Sequence, residues 1–265
     1  MAQRNPLFNI SRLIDESKGE EVSVETSFAE DMKRCIEKLN TSSGKPSTSY
    51  KPSSLSCIRN MYYQCVGADP DPSPVSADMV GIGESGTDRH LRIQTYISAM
   101  RSFGIDCDYV DVAEYIQTHE IPDLEVVGKK GFETKLHNTK YNITFLVDGI
   151  IYYKGEYYIL EIKTESSYKW RDRCSVDESH HPQAFTYSAC LKIDKVMFIY
   201  ENRDCCAKKY YVLVVHDSDR QSVFDKITTC ESYVKSSIVP SKPEDVSKKT
   251  CQYCSYRTLC RKDGR

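Results

Sequence analysis

Three ionisable residues interrupt an otherwise apolar stretch in the middle of the chain. The segment 146–166, LVDGIIYYKGEYYILEIKTES, places Asp148, Glu161 and Lys163 among dense runs of Ile, Leu and Tyr. Such runs are typical of buried strands, in which charged groups are rare unless they are paired or bind a cation. Carboxylate oxygens are hard ligands suited to Mg²⁺ or Mn²⁺, and a neighbouring ammonium group can stabilise charge on a phosphate. The segment therefore predicts a metal site that Lys163 assists.

The turn at Lys154-Gly155 predicts how these residues face one another. If the two residues form the centre of a tight hairpin, residue 153 pairs with residue 156, and residue 148 falls opposite residue 161. Opposed residues have Cβ atoms roughly 4.5 to 5.5 Å apart, and the two-residue period of a strand adds Lys163 to that face. Two adjacent carboxylates repel unless one is protonated or a cation lies between them. The alternatives are a solvated face with a salt bridge between Asp148 and Lys163, or a bulge that breaks the register.

The composition of the chain favours one elaborated domain. The chain has 265 residues, of which 40% are hydrophobic and 28% charged, with a net charge of −2. No apolar run approaches the ~18 residues of a membrane helix and the amino terminus lacks an apolar signal core, so we expect no membrane partner and a cytoplasmic location. The twelve cysteines then need an explanation other than disulfides. Residues 242–265, with seven Lys/Arg against three Asp/Glu, form a basic tail on a near-neutral chain.

Apolar periodicity and turn residues predict a mixed α/β order. We expect a surface helix over 24–40 and a flexible connection over 41–54, so that residues 1–52 form an arm and 53–265 the main domain. Within that domain the patterns predict helices over 84–103, 182–192 and 218–236, a hairpin insertion within 119–142, and strands over 195–201 and 209–216. GIGESG at 81–86 matches GxGxxG, but no convincing buried strand precedes it and no βαβ unit follows, so we reject a dinucleotide site.

Two helical motifs are candidates to join the hairpin residues. Gly86 to His90 forms a GxxxH pattern on the predicted helix 84–103, although an isolated histidine is more often a surface residue. Gln183 and Tyr187 lie one helical turn apart in QAFTYSA, although Tyr187 also fits the core stripe of that helix. His180 and His181 precede this helix in a loop, which favours a surface role over metal binding.

The cysteines near the carboxyl end have the spacing of metal-ligating thiolates. Cys251-x2-Cys254-x5-Cys260 supplies three of the four ligands that a closed tetrahedral or cubane site needs. The fourth has to come from elsewhere in the chain, and zinc cannot be distinguished from an iron–sulfur cluster by sequence. Arg59, Tyr63 and Arg171 are candidates to contact phosphates or bases, with core packing as the alternative for the tyrosine.

Taken together and in order, these motifs resemble the RecB-like branch of the PD-(D/E)xK nucleases. Asp148 and Glu161-Ile162-Lys163 resemble the signature of the superfamily, His90 its GxxxH motif, and Gln183 with Tyr187 its QxxxY helix. SSLSCIRNMYYQC resembles the segment that carries the first cysteine of the iron–sulfur nucleases in this branch, as found in AddB and in CRISPR-associated and phage exonucleases. The resemblance spans residues 53–260.

The resemblance implies a restriction-endonuclease-like mixed β-sheet flanked by helices. It implies that a four-iron four-sulfur cluster, with zinc as the alternative occupant, joins the two ends of the domain through Cys57, Cys251, Cys254 and Cys260. It further implies that one or two Mg²⁺ or Mn²⁺ ions are bound by His90, Asp148, Glu161 and the carbonyl of Ile162. Lys163 and Gln183 would then assist catalysis, and Tyr187 would approach the DNA backbone.

Under this resemblance the expected function is that of a metal-dependent DNA exonuclease. It would act on single-stranded or resected ends and leave 5′-phosphate products. A role in recombination, repair or phage DNA processing is expected by analogy, with a recombination or helicase partner and, for a phage protein, the host cytoplasm as its location. Two alternatives stay open: a structure-specific endonuclease in a CRISPR-adaptation-like complex, and a nuclease-fold protein that binds DNA without cutting it.

Overall fold

The computed structural model describes residues 23–41, 47–72 and 75–264. The described residues fall into a small unit, with residues 23–41 and 75–82, and a large unit, with residues 47–72 and 83–264. Tyr50 is fully buried in the large unit, where it forms an isolated bridge with Ile143. The large unit, which carries the candidate site, therefore includes residues that precede position 53. The predicted domain boundary between 52 and 53 stays a prediction.

In the small unit, helix α1 spans Val24–Leu39, close to the predicted range of 24–40. Ser23 caps its start, because the Ser23 Oγ accepts a hydrogen bond from the backbone N–H of Thr26 at 3.3 Å. The apolar residues at helical spacing, such as Phe28, are exposed. The sequence pattern therefore predicted this surface helix correctly.

The structure contains the three other predicted helices close to their predicted ranges of 84–103, 182–192 and 218–236, and it adds five helices that were not predicted among the described residues. Helix α2 spans Ile58–Cys65, and helix α3 spans Ala77–Ala99 and continues as a 3₁₀ turn, Met100–Phe103. Helix α3 begins before the predicted residue 84 and includes the GIGESG segment, which agrees with the rejection of a dinucleotide loop. The remaining helices are α4 (Val112–Thr118), α5 (Ser167–Asp172), α6 (His181–Leu191), α7 (Asp217–Ser236), α8 (Lys248–Gln252) and α9 (Arg257–Lys262), with 3₁₀ turns at Pro52–Ser56 and Glu178–His180. In the described parts of the chain, no helix is long and apolar enough to cross a membrane.

Two sheets form the β-structure. The strands of the described residues are β1 (Cys107–Val110), β2 (Leu124–Lys130), β3 (Glu133–Asn138), β4 (Ile143–Val147), β5 (Gly149–Tyr153), β6 (Glu156–Glu165), β7 (Lys195–Asn202) and β8 (Lys208–Val214). The larger sheet has the order β1-β5-β6-β7-β8, in which only the β6–β7 pair is parallel. The smaller sheet, β2-β3-β4, is antiparallel, so the predicted hairpin insertion is in fact a three-stranded sheet. The prediction of a mixed sheet flanked by helices is confirmed.

The register of the β5–β6 hairpin agrees with the prediction. Tyr153 pairs with Glu156 and Gly149 pairs with Leu160, without a bulge between them. Lys154 and Gly155 have φ angles of 50° and 86°, which is the left-handed backbone that a two-residue hairpin turn of type I′ requires. The turn therefore fixes the register that extends to the end of the hairpin.

Strand β6 lies at the centre of the larger sheet and is buried on both faces. Ile159 packs in the main core with Leu191 of α6, whereas Ile162 packs in a second cluster with Ile93 of α3. Because side chains alternate along a strand, Glu161 lies on the α6 face with Ile159. Burial on both faces explains why residues 157–160 of β6 form an unbroken apolar run rather than an alternating pattern.

Candidate metal centre and its cleft

Asp148 lies where the chain passes from the smaller sheet to the larger one. In the β3–β4 pair Thr134 faces Val147, so Glu133 comes opposite Asp148 one residue further on. In the β5–β6 pair Gly149 faces Leu160, so Glu161 comes opposite Asp148 from the other side. Two hairpins therefore place three carboxylates in a row across neighbouring strands.

The position of Asp148 is fixed by hydrogen bonds to both its side chain and its main chain. Its Oδ2 accepts from the backbone N–H of Ile162 at 2.6 Å. Its carbonyl oxygen accepts from Gln94 Nε2 at 2.7 Å and from the Tyr109 hydroxyl at 2.5 Å. A Cβ on the next residue, Gly149, would lie 2.1 Å from the Tyr109 hydroxyl oxygen, so only glycine permits this arrangement. The site is thus held in place by the backbone of two sheets and by helix α3.

Helix α3 brings a histidine to the same point. His90 Nδ1 lies 3.1 Å from Asp148 Oδ1 and 3.6 Å from Glu133 Oε1. In the described part of the chain, His90, Glu133 and Asp148 form the one group of three or more such side chains whose ligand atoms all lie within 4.8 Å of one another. These residues could hold a metal ion, as carboxylate oxygens and an imidazole nitrogen are ligands that divalent cations accept.

Glu133 is the residue that sequence reasoning missed. It occurs in GFETK, after a glycine turn, and no motif marks it. The available signal was the four-residue connection 139–142 between β3 and β4, because a hairpin closed there brings residue 133 opposite residue 148. The segment was instead predicted as a hairpin insertion, without a link to the metal site.

The electrostatics of the group favour a bound cation. Burial, and then the charge of Asp148, raise the pKa of Glu161 to about 7. Burial and Asp148 also raise the pKa of Glu133. Burial opposes the charged form of His90, but its hydrogen bond to Asp148 and the charges of Asp148, Glu161 and Glu133 outweigh burial and raise its pKa. The carboxylates therefore resist ionising together unless positive charge is supplied.

Lys163 lies on the same face as Glu161 and is held by a chain of hydrogen bonds. Its Nζ lies 2.5 Å from Glu161 Oε1 and donates to Gln183 Oε1 at 2.8 Å. Gln183 Nε2 donates to the Tyr187 hydroxyl, which donates to the carbonyl of Leu146, each at 2.5 Å. Lys163 thus pairs with Glu161, which removes the alternative of a simple salt bridge between Lys163 and Asp148. The two residues of the QxxxY motif orient Lys163 from helix α6.

The group opens into a cleft of about 880 Å³. Its lining includes the carboxylates, Lys163 and Gln183, and on the opposite flank residues of the amino- and carboxyl-terminal segments of the large unit, such as Ser53, Asn60 and Tyr253. Tyr253 is 75% exposed. The cleft is therefore lined by both charged and polar uncharged groups.

The residues predicted to contact DNA occupy different environments. Arg59 and Tyr63 are 2% and 3% exposed, and Tyr187 is 2% exposed. Tyr63 donates to Asp263 at 2.5 Å and packs on Tyr256, so core packing, the alternative weighed for it, describes its place in the fold. Arg171 is exposed on helix α5, with its guanidinium 3.2 Å from Asp172, and does not line the cleft. Arg59 and Tyr63 line the cavity of the four cysteines and Tyr187 lines the cleft, so their contact with a nucleic acid stays a prediction.

The four cysteines assigned to a cluster line a second cavity, of about 440 Å³. Burial, together with the proximity of the other three thiols, raises the pKa of Cys254, and burial likewise raises that of Cys57. The backbone N–H of Tyr256 lies 3.4 Å from Cys254 Sγ, and Arg59 donates to Cys260 Sγ at 3.6 Å. Cys65, which lies on helix α2 near Cys57 in sequence, is placed beside Tyr50 and Cys230. The fold thus brings Cys57 together with Cys251, Cys254 and Cys260.

Comparisons with known proteins give distant structural similarity only. No protein-family profile matches the chain, and no curated protein matches it in sequence. The crystal structure of SSO0001 is similar with a TM-score of 0.46 and 16% identity, over 90% of this chain and 98% of that one. The crystal structure of LHK-Exo in complex with dAMP is similar with a TM-score of 0.41 and 11% identity, over 72% of this chain and 89% of that one. We base no functional conclusion on similarity at this level.

Proposed function

We propose that the protein is a metal-dependent nuclease of the PD-(D/E)xK type that hydrolyses phosphodiester bonds of DNA. The observation that carries the proposal is the row of carboxylates Glu133, Asp148 and Glu161, with His90 at one end and Lys163 at the other, at the base of an open cleft. Acidic ligands beside a lysine that is itself oriented are the groups that phosphodiester hydrolysis needs, since the reaction develops negative charge on a phosphate.

The donor set fits a hard divalent cation. Buried carboxylates with raised pKa values are stabilised when a cation lies between them, and their oxygens suit Mg²⁺ or Mn²⁺. His90, Glu133, Asp148 and Glu161 would hold one or two such ions, with the carbonyl of Ile162 as a further ligand. A bound ion supplies Lewis-acid stabilisation of the charge on the scissile phosphate.

The protein side chains supply positioning and positive charge. Lys163, held by Glu161 and Gln183, presents its ammonium at the metal group, where it can orient an attacking water and neutralise charge on the phosphate. Gln183 acts through Lys163, and Tyr187 acts through Gln183, so both are positioning residues in this mechanism. The burial of Tyr187 supports this role over the DNA contact implied by the resemblance.

A metal cofactor at the four cysteines is part of the proposal. The four cysteines line one cavity, and the resemblance of the motifs favours a four-iron four-sulfur cluster there, with zinc as the alternative occupant. The N–H donors of Tyr256 and Arg59 at the sulfurs are also typical of such clusters. Anaerobic purification should give a brown protein with bound iron, whereas a colourless protein with stoichiometric zinc would overturn this assignment.

We propose single-stranded DNA with a free end as the substrate, and 5′-phosphate ends as the products. This choice follows the resemblance of the motifs, and the exposed Tyr253 in the cleft supports it, because aromatic side chains stack on unpaired bases. Linear and circular single strands separate the exonuclease from the endonuclease alternative, since an obligate exonuclease needs an end.

The decisive experiment is digestion of end-labelled single strands with Mg²⁺ or Mn²⁺. The wild type should release labelled products only when a divalent ion is present, and Asp148→Ala and Lys163→Ala should abolish cleavage. Lys195→Ala is the matched control, because Lys195 forms a similar 2.5 Å pair with Glu156 on the surface, away from the cleft. Cleavage that survives Asp148→Ala and Lys163→Ala contradicts the mechanism, and binding without any cleavage favours the non-catalytic alternative.

A further inference from the structure

His180 lies at the wall of the cleft, near Lys163, and its ring is held by a buried hydroxyl. The side chain lines the same cleft as Lys163 and Gln183. Its Nδ1 lies 2.8 Å from the Tyr200 hydroxyl, and Tyr200 is fully buried. Its ring also stacks on Phe198, with the ring centroids 6.2 Å apart. The orientation of His180 is thus set by its neighbours although it was expected to be a surface residue.

The hydrogen bonds around Tyr200 determine which nitrogen of His180 carries the proton. The backbone N–H of Asp177 donates to the Tyr200 oxygen at 3.1 Å, which leaves the hydroxyl hydrogen to find an acceptor. Among the described residues, His180 Nδ1 is the acceptor within reach, and a buried hydroxyl without an acceptor is rare because it is costly. Tyr200 therefore donates to Nδ1, and in the neutral ring the proton lies on Nε2.

The charge of the surroundings keeps this histidine neutral. Burial, and then the positive charge of Lys163, lower the pKa of His180 to about 4, although Asp177 acts in the opposite direction. Arg173 and Lys169 act in the same direction as Lys163. No described residue accepts a hydrogen bond from Nε2, and this atom is not among the buried polar atoms left without a partner. Nε2–H is therefore an oriented, solvent-accessible donor in the wall of the cleft.

We propose that His180 Nε2–H binds a non-bridging phosphate oxygen of the DNA strand that occupies the cleft, next to the phosphate at Lys163. The proposal rests on the proposed function and specifies a residue that reads the backbone rather than the bases. A neutral donor suits this place, because a second cation beside Lys163 would be repelled, whereas an anionic oxygen accepts from both. Tyr200 is a positioning residue, since it fixes the tautomer without reaching the substrate.

The tautomer can be tested on the free protein. Long-range ¹⁵N–¹H correlation spectra at pH 7 should show His180 protonated at Nε2, and Tyr200→Phe should yield a mixture of tautomers. A wild-type His180 protonated at Nδ1 would overturn the proposal, whatever the nuclease activity proves to be.

The phosphate contact can be tested by binding in Ca²⁺, with fluorescence anisotropy of a labelled single strand. Because a hydrogen bond to a charged acceptor contributes more than a neutral one, His180→Ala should raise the Kd about tenfold. His180→Gln, which keeps a donor at a similar reach, should stay within about threefold of the wild type. His181→Ala is the matched control, because His181 is the adjacent histidine but does not line the cleft.

Neutral methylphosphonate substitutions identify the contacted phosphate. Each strand in the series carries one such substitution. When the substitution lies at the contacted phosphate, wild type and His180→Ala should bind the strand with equal Kd, because the phosphate acceptor is already lost. The contact would be overturned if wild type and His180→Ala bound the unmodified strand with the same Kd. It would also be overturned if His180→Gln weakened binding as much as His180→Ala. Binding without cleavage in Mn²⁺ would refute the proposed hydrolysis but leave the contact standing, and a wild type that does not bind DNA refutes both.

Discussion

Glu133→Gln is the change that tests the carboxylate row most directly. The substitution removes one negative charge and keeps the shape of the side chain and one oxygen. Two unit charges 4 Å apart interact with about 1 kcal/mol in bulk water, so the loss for a divalent ion is about 2 kcal/mol, or roughly 30-fold in Kd. The Glu133 side chain is only 16% exposed, so water screens its charge less than it would in bulk solution. The roughly 30-fold change in Kd is therefore a lower limit.

Without metal, the same substitution should act in the opposite direction. Burial and the charge of Asp148 raise the pKa of Glu133, so the ionised group destabilises the metal-free fold. Glu133→Gln should therefore leave the melting temperature of the metal-free protein unchanged or higher, while it reduces the increase that Mn²⁺ produces. Electron paramagnetic resonance of free Mn²⁺ measures the Kd, and calorimetry measures the two melting temperatures.

The control for this test is Glu156→Gln, which neutralises an exposed carboxylate of the β5–β6 hairpin, away from the cleft. It should change neither the Mn²⁺ affinity nor the metal-induced increase in melting temperature. An unchanged Mn²⁺ affinity in Glu133→Gln would show that Glu133 is not a ligand. If Glu133→Gln lowered the melting temperature equally with and without Mn²⁺, Glu133 would serve the fold alone.

Three further predictions concern the neighbourhood of this site and one distant thiol. Tyr187→Phe removes the hydroxyl that anchors Gln183, so kcat should fall roughly tenfold with little change in KM, measured by steady-state cleavage. Because burial raises the pKa of Glu161 to about 7 in the fold, the free energy of unfolding of the metal-free protein should fall by roughly 3 kcal/mol as the pH rises from about 4.5 to 7, and Glu161→Gln should flatten this denaturant-measured dependence. The hydrogen bond from Arg92 lowers the pKa of Cys206, so Cys206 should be alkylated by iodoacetamide at lower pH in the wild type than in Arg92→Ala.

The hairpin that carries the acids was predictable because its register is a local property. The two turn residues at 154 and 155 determine every pair from 153 and 156 outward, as long as no bulge intervenes. Helices α6 and α7 were predictable for a similar reason, since apolar spacing and flanking residues mark their ends. In each case the information lies within about twenty residues of sequence.

The role of Glu133 was not predictable in this way, because it depends on two hairpins that meet at one residue. The first places Glu133 opposite Asp148 and the second places Glu161 opposite Asp148, and neither sequence pattern refers to the other. The burial of Arg59 was missed for a related reason, and for Tyr63 the sequence favoured neither core packing nor a nucleic-acid contact. Helix α2 is covered by the segment that carries Tyr256 and Asp263, about 200 residues further along the chain, and such long-range packing leaves no local pattern.

The two candidate centres share a wall, which suggests how they depend on each other. Asn60, Thr250 and Cys254 line both the cysteine cavity and the carboxylate cleft. The carboxylates themselves are positioned by strand register and by α3, and none of these contacts involves the cysteines. The carboxyl-terminal segment is also held to the rest of the large unit by the N–H of Thr258, which donates to Asp71 at 2.8 Å. Loss of the proposed metal cofactor at the four cysteines should therefore loosen this shared wall, while the affinity of the carboxylates for Mn²⁺ stays the same.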